Sequence, residues 1–334
     1  MVMDKQKMDS SQKLLLCSVV AVFLIINISM FMLMTGRLTN NFSGVSQAKM
    51  IDVGQYLPFT DSPYLAHIET DYRVDGDLPV LDGAAALVPV YGAVIDSVYP
   101  EGSVTYEGGV FSDDNYYGEN FASDSKMQYH NTIRGFNALV DGSIDIFFTA
   151  APSADQMAYA EEQGVELVLV PVGREGFVFF VNTENPVDSL SIDEIRGIYS
   201  GSIRNWKEVG GPNRPINPVT RIAGSGSQSV MDRFMGDLEY GRKSFSALAG
   251  ASIGYSFRFY LQDVVANGGV KMLAVNGVEP DIDNIRSGVY PLVSEFYVAY
   301  RADNTNPAVK ELIDWILSEE GQELIEKSGY VPVS

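Results

Sequence analysis

The residues with the clearest chemical content lie between Arg221 and Gln228, in the segment Arg-Ile-Ala-Gly-Ser-Gly-Ser-Gln. A strand-like run precedes this segment, and a helical pattern follows it at 229–236. Glycine and serine at a strand-to-helix turn let the backbone approach a ligand closely, and the first helical turn favours an anion. Ser225 and Ser227 add hydroxyl donors, and Arg221 can make a charge-assisted bidentate contact. The segment indicates either an oxyanion site or an ordinary serine- and glycine-rich helix cap with Arg221 at the surface.

Other motifs give little support for catalysis. The segment lacks the Gly-Lys-Ser/Thr of a phosphate-binding P-loop and the Gly-x-Ser-x-Gly of a nucleophile elbow. His67 and His130 have no partners at metal-ligand spacing, so we expect them to be surface or stalk residues. The sequence therefore predicts no catalytic residue, no metal site and no cofactor.

The elements that must position the anion-binding segment begin near Leu78. From there, short apolar runs alternate with helical patterns, which predicts an α/β architecture with mainly parallel strand pairing. The strand-like runs are 78–81, 143–150, 166–172, 177–182, 216–222 and 290–301.

Two of the predicted helices carry explicit start signals. Ser153 with Gln156, and Ser191 with Glu194, have the spacing of a capping box. Gly201 supplies a stop signal for the second of these helices. These residues are expected to have structural roles only.

Charge and cysteine content exclude several classes of protein. The 334 residues include 23 Lys or Arg and 43 Asp or Glu, which gives a formal net charge of −20. Proteins that bind nucleic acid need basic side chains to neutralise phosphates, so we expect no nucleic-acid partner. A single Cys excludes a disulfide framework and a cysteine-rich zinc site.

An apolar run near the N-terminus predicts attachment to a membrane. Residues 14–35 contain no Asp, Glu, Lys or Arg, and 22 helical residues are long enough to span a bilayer. A cleaved signal peptide is the alternative, but the nearest small-residue triplet, 46–48, lies well beyond the run. Basic residues are concentrated before the run, at Lys5, Lys7 and Lys13, which predicts a cytosolic N-terminus. The predicted organisation is a cytosolic tail (1–13), a transmembrane signal anchor (14–35), a stalk or linker (36–77) and an extracellular domain (78–334). Some contact between the stalk and the domain is expected.

Several longer motifs resemble one family. The sequence over about 78–334 is similar to the phosphate-binding subunits of bacterial ABC importers, in the membrane-attached form found in Gram-positive bacteria. The resemblance is carried by the segments 81–94, 170–190, 188–211, 221–227 and 312–333. It implies a two-lobed, periplasmic-binding-protein-like fold of type II behind the N-terminal transmembrane helix. Lobe 1 would comprise about 78–175 and 298–334, and lobe 2 about 176–297.

The resemblance also implies a set of ligands for phosphate. The family's Arg and Ser-Gly-Thr/Ser ligands correspond to Arg221, Ser225, Gly226 and Ser227. The backbone donors of the first loop correspond to Ala85 and Ala86, and a hydroxyl in the next helix-start loop corresponds to Thr132.

Two departures from the family pattern affect selectivity. Ala84 and Ala85 stand where well-known members have Ser-Thr, so the side-chain donor is missing there. Ala150 stands where those members place an Asp that accepts a proton from hydrogen phosphate. The loss of that Asp weakens selectivity for phosphate over other oxyanions.

The sequence thus predicts an extracellular solute-binding protein that captures inorganic phosphate, or a related oxyanion, in a cleft between two lobes. Its partners would be the permease subunits of an ABC importer and, through the N-terminal helix, the cell membrane. The alternative is a membrane-anchored sensor or interaction domain that retains the fold without transport. A phosphatase is a third and more distant reading.

Overall fold

The computed structural model describes residues 51–111, 117–241, 251–265 and 269–333. All of these residues belong to one compact unit, Gln47–Ser334. Among them, no helix has the length and apolar character needed to cross a bilayer. The predicted cytosolic tail (1–13) and transmembrane helix (14–35) lie outside the described residues.

Eleven strands and eight α-helices are present in the described part of the chain. The strands are β1 (Leu81–Gly83), β2 (Tyr106–Phe111), β3 (Tyr117–Phe121), β4 (Ile146–Ala150), β5 (Leu167–Asn182), β6 (Ser189–Leu190), β7 (Asn217–Pro218), β8 (Ser252–Phe257), β9 (Val270–Met272), β10 (Ala274–Val275) and β11 (Val293–Arg301). The helices are α1 (Val88–Val98), α2 (Asn131–Asp141), α3 (Ala154–Glu162), α4 (Ile192–Ser200), α5 (Gly226–Met235), α6 (Ile282–Arg286), α7 (Pro307–Ile316) and α8 (Glu319–Lys327).

Local sequence signals fix the ends of α3 and α4. The Ser153 hydroxyl accepts the Gln156 N–H at the start of α3, and the Gln156 side chain accepts the Ser153 N–H at 2.9 Å. Ser191 and Glu194 form the same reciprocal pair at the start of α4. Helix α4 ends at Gly201, whose φ of 81° lies in the left-handed region that glycine adopts without strain. The predicted capping boxes and the predicted stop at Gly201 are confirmed.

The first lobe is built on the strand order β1-β4-β11-β5. Strand β1 runs parallel to β4, and β11 runs antiparallel to both β4 and β5. Alternate residues of β4 point to opposite faces of the sheet: Phe148 joins the core with α1, α7 and α8, and Phe147 joins the core with α2 and α3. Helices therefore cover both faces of this sheet.

Part of the segment that the sequence assigned to a stalk contacts the first lobe. Ile51, Val53 and Tyr56 are buried in the core that includes α1, α7 and α8. Residues 51–77 thus contribute apolar side chains to the domain that follows them.

The second lobe shares strand β5 with the first. Residues 167–176 of β5 pair with β11, whereas 177–181 pair with β8. Strand β8 also pairs with β7, and β5 with β9. Helices α4, α5 and α6 contribute to a separate core on this side. A strand of 16 residues therefore passes from one lobe to the other, and the predicted lobe boundary at 175/176 falls within it.

The strand pairing is mixed, and the prediction of mainly parallel pairing is wrong. Parallel pairs are present at β1–β4, β7–β8 and β6–β10. The long pairings of β5 with β11 and with β8 are antiparallel. The reason is that β5 continues from one lobe into the other and pairs antiparallel with β11 in the first lobe and with β8 in the second, which apolar runs in a sequence do not reveal.

Candidate functional site

Helix α5 begins in the segment with the most chemical content. Ser225 is its N-cap residue, and the Ser225 hydroxyl accepts the Gln228 N–H at 3.4 Å. Gly224 precedes the cap with a φ of 80°, which turns the chain into the helix. The first N–H groups of a helix have no acceptor inside it, and the helix dipole makes this end partly positive. The backbone at Gly226 and Ser227 can therefore donate to an anion.

A polar network supports this turn from inside the second lobe. The Arg221 N–H group lies 2.9 Å from Gln228 Oε1 and 3.1 Å from the Tyr255 hydroxyl, which accept its hydrogen bond. The Tyr255 hydroxyl in turn donates to Gln228 Oε1, and Gln228 Nε2 donates to Asp232 Oδ1 at 2.7 Å. Burial raises the pKa of Tyr255, so its hydroxyl stays protonated and remains a donor. The network fixes the backbone at both ends of the 221–228 segment.

The first lobe presents a second helix start, the turn at residues 84–87. The Ala84 N–H donates to the Phe148 carbonyl of β4 at 2.8 Å. A short 3₁₀-helix, Ala85–Leu87, follows and leads directly into α1. Because the side chains at 84, 85 and 86 are methyl groups, only backbone groups can donate hydrogen bonds from this turn.

A third helix start, that of α2, faces α5. Thr132 is buried, and its N–H donates to the Asn131 side chain at 2.7 Å. A Cβ atom placed on Gly226 would lie 3.7 Å from Ala150 Cβ and 3.9 Å from Thr132 Oγ1. The start of α5 therefore lies beside the end of β4 and the start of α2, with room for no more than a methyl group between them.

A cavity lies where these elements converge. Its lining residues are Ala84, Ala86, Leu87, Ala150, Glu175, Gly226, Phe257, Glu295, Phe296 and Tyr330. Of the predicted ligands, Ala86 and Gly226 are part of this lining. The other five, Ala85, Thr132, Arg221, Ser225 and Ser227, are not part of it in the described structure.

The lining includes residues that the sequence did not single out. Phe257, Phe296 and Tyr330 contribute apolar rings, and Glu175 and Glu295 contribute carboxyl groups. Tyr330 belongs to the closing motif 312–333 that carries the family resemblance, so that motif was the available signal for it. Glu175 likewise lies in the family segment 170–190, whereas Glu295 had no such signal.

Asp82 and His130 connect the two helix starts of the first lobe. The Asp82 carboxylate is fully buried and accepts the N–H groups of Gly83 at 2.6 Å and His130 at 3.1 Å. The His130 ring places Nδ1 at 2.6 Å from Asp82 Oδ2. The sequence placed His130 at the surface or in the stalk, but the structure gives it a buried carboxylate as partner. The hydrogen bond to Asp82 raises the pKa of His130 above its ordinary value, although partial burial opposes the shift.

The raised pKa of His130 predicts a pH-dependent stability. A group whose pKa is higher in the folded protein stabilises the fold fully below its unfolded pKa, about 6.5 for histidine. That stabilisation is lost as the pH rises through the folded pKa. We therefore expect the loss of stability caused by His130→Gln to be greatest below about pH 6.5 and to shrink at higher pH. Urea unfolding of the wild type and of His130→Gln between pH 5 and 9 measures the difference in their free energies of unfolding at each pH.

The chain has one other histidine, His67, which provides the control. His67 lies at the surface, with Nδ1 2.9 Å from Asp96 Oδ2. A difference in stability that is the same at every pH for His130→Gln, or that increases with pH, would contradict the prediction. His67→Gln, measured in parallel, separates the effect of the Asp82 pair from that of an exposed histidine.

The fold and this set of helix starts define a two-lobed binding protein, and comparison with known proteins agrees. Residues 117–320 match the model of the PBP superfamily domain, and the chain belongs to this superfamily.

The similar proteins of known name are phosphate-binding proteins. The chain is 28% identical to the phosphate-binding protein PstS of Bacillus subtilis over 232 residues, which cover 65% of this chain and 73% of that protein. It is 23% identical to PstS of Borreliella burgdorferi, over 63% of this chain and 81% of that protein.

Two solved structures share the fold. One is from Clostridium perfringens, is described as a phosphate ABC transporter substrate-binding protein and holds bound phosphate. It aligns with a TM-score of 0.56 and 23% identity over 76% of this chain and 99% of that chain. The other is an ABC-type phosphate transport receptor from Vibrio cholerae. It aligns with a TM-score of 0.52 and 21% identity over 76% of this chain and 99% of that chain. The predicted two-lobed periplasmic-binding-protein-like fold is confirmed.

Proposed function

We propose that this chain is a solute-binding protein that captures inorganic phosphate, or a related oxyanion, between its two lobes for an ABC importer. The observation that carries the proposal is the grouping of three helix starts: the 84–87 turn and the start of α5, which line one cavity, and the start of α2, which lies beside Gly226. Each offers the positive end of a helix dipole, and the first N–H groups of a helix have no acceptor inside it. The named relatives, which are phosphate-binding proteins, support the choice of ligand.

The proposed ligands follow from this arrangement. Ala85, Ala86 and Gly226 would donate through backbone N–H groups, and Thr132, Ser225 and Ser227 would add hydroxyl or backbone donors. A buried anion without partners would be strongly destabilised, so the site must supply many donors. Arg221 would balance part of the charge. The proposed role is capture and release, without chemical change of the ligand.

The composition of the lining bears on selectivity. Ala150 and Ala84 present methyl groups, which neither accept a proton from hydrogen phosphate nor donate to it. Glu175 and Glu295 also line the cavity, but both carboxylates already accept hydrogen bonds, Glu175 from the N–H groups of Gly176 and Phe259 and Glu295 from the Tyr297 hydroxyl at 2.6 Å. We therefore propose a site that accepts several tetrahedral oxyanions.

We also propose the cellular arrangement that the sequence predicts. A tail (1–13) would lie in the cytosol, and a single helix (14–35) would cross the cell membrane. The segment predicted as a linker (36–77) would lead to the extracellular domain (78–334), with residues 51–77 packed against that domain. The absence of charged residues in 14–35 and the basic residues before it support this arrangement. The permease subunits of the importer would be the protein partners.

A sensor or interaction domain is the second candidate function. The observation that favours it is the cavity lining, which is mainly apolar and includes the carboxyl groups of Glu175 and Glu295. A domain that has lost oxyanion binding would tolerate such a lining.

Calorimetry separates the two functions. The full chain, held in lipid nanodiscs, is titrated with phosphate, arsenate and sulfate. We expect phosphate and arsenate to bind, and sulfate to compete measurably because position 150 has no carboxylate. If none of the three anions binds, the transport proposal is wrong and the second candidate is favoured.

A further inference from the structure

The turn at residues 84–87 can offer an anion only its backbone, because Ala84, Ala85 and Ala86 have no polar side chain. Ala84 uses its own N–H for a hydrogen bond to Phe148 of β4. The next two N–H groups, those of Ala85 and Ala86, begin a helix and have no acceptor within it. With methyl side chains on either side, the orientation of these peptide groups determines what the turn can bind.

One side chain from the far end of the chain holds this turn. The Tyr330 hydroxyl donates a hydrogen bond to the Ala86 carbonyl. Tyr330 is only 1% exposed, and its ring contacts Phe259 with centroids 4.8 Å apart and Phe296 with centroids 5.2 Å apart. The two aromatic contacts restrict the ring, so the hydroxyl keeps its direction.

The backbone beside Tyr330 is attached to the strand that crosses between the lobes. The Arg174 N–H of β5 donates to the Val331 carbonyl at 2.7 Å, and the Val331 N–H donates back at 3.1 Å. Arg174 Nε donates to the Pro332 carbonyl at 2.9 Å. The adjacent Glu175 accepts the Phe259 N–H at 3.3 Å. Tyr330 therefore lies between the crossover strand and the 84–87 turn, and it also lines the interlobe cavity.

We propose that Tyr330 is a positioning residue for anion binding. Its hydroxyl holds the Ala86 carbonyl, whose peptide group also carries the Leu87 N–H that donates to the Ala84 carbonyl at 2.8 Å. With this peptide group held at both ends, the turn keeps the shape that presents the N–H groups of Ala85 and Ala86. The hydroxyl would affect anion binding through the turn and would not donate to the anion itself, because its one proton is already donated to the Ala86 carbonyl. This inference rests on the proposed function, which it deepens by assigning a residue that orients the first-lobe donors.

The variant Tyr330→Phe tests the inference because it removes the hydroxyl and keeps the ring. We expect phosphate to bind about tenfold more weakly, as for the loss of one buried hydrogen bond. Calorimetry of the full chain with inorganic phosphate measures the affinity. Amide hydrogen exchange at Ala85 and Ala86, without phosphate, should be faster in the variant.

Tyr99 offers a matched control in the same lobe. Its buried hydroxyl also donates to a backbone carbonyl, that of Pro79 at 2.9 Å, but it does not line the interlobe cavity. Both variants should lose similar stability in urea unfolding. Only Tyr330→Phe should lose affinity and show faster exchange in the turn.

Two outcomes would overturn the inference: unchanged affinity in Tyr330→Phe, or an equal loss of affinity in Tyr99→Phe. Failure of the proposed function is distinguishable from either, because the wild-type chain would then bind no oxyanion.

Discussion

Replacement of Arg221 by alanine should weaken phosphate binding about a hundredfold. Arg221 supplies the positive charge among the proposed ligands, and hydrogen bonds between charged groups are about twice as strong as neutral ones. Its backbone N–H is held by Gln228 and Tyr255, so the main chain should stay in place when the side chain is removed. Calorimetry with phosphate gives the affinity, and urea unfolding gives the stability.

A second arginine of the same lobe provides the control for charge. Arg204 is exposed, and its Nε donates to the Gly201 carbonyl at 2.6 Å. Arg204→Ala changes the net charge by the same amount, but salt screens an exposed charge beyond about 10 Å at 0.1 M. We expect its affinity to stay close to that of wild type. Equal losses in the two variants would mean that Arg221 acts only through the overall charge, contrary to the proposed site.

The variant Arg221→Lys separates the effect of the charge at position 221 from that of the guanidinium geometry. Lysine keeps the charge but lacks the planar fork that contacts two oxygen atoms at once. An affinity between those of wild type and Arg221→Ala is expected. A full recovery would show that charge alone is needed at this position.

The parts of the site that depend on neighbouring residues could be predicted from the sequence. A capping box needs only residues three apart, and Ser191 with Glu194 forms one as predicted. Ser225 likewise acts as the N-cap of α5, because a serine before a helical pattern satisfies the first N–H groups of that helix. The strand-to-helix turn that contains Gly226 followed from the same local signals.

The parts that depend on tertiary contacts could not be predicted. Asp82 and His130 are 48 residues apart, and their pairing requires β1 and the start of α2 to be adjacent. Tyr330 reaches Ala86 across 244 residues of chain. Some contact of the stalk with the domain was expected, but the burial of Ile51 and Val53 could not be assigned, since residues 36–77 show no periodicity that would indicate a buried face.

The replacement of Gly226 by alanine separates anion binding from stability. Gly226 is the first residue of α5, and an added Cβ would be 3.7 Å or more from every other group, an ordinary contact distance. Alanine also has a higher helix propensity than glycine, so the free energy of unfolding should be unchanged or higher. The new methyl group would, however, lie between Ala150 and Thr132, where the proposed anion meets the start of α5. We expect phosphate affinity to fall between about tenfold and a hundredfold.

Gly269→Ala is the matched control for this substitution, because a Cβ at Gly269 would meet no atom within 4 Å. It lies next to β9, away from the cavity lining, and should leave phosphate affinity unchanged. Gly226→Val extends the series with a larger side chain and should abolish binding while the protein still unfolds cooperatively. Retention of wild-type affinity in Gly226→Ala would place the anion elsewhere than at the N-terminus of α5, since a methyl group at that point cannot coexist with a close backbone contact.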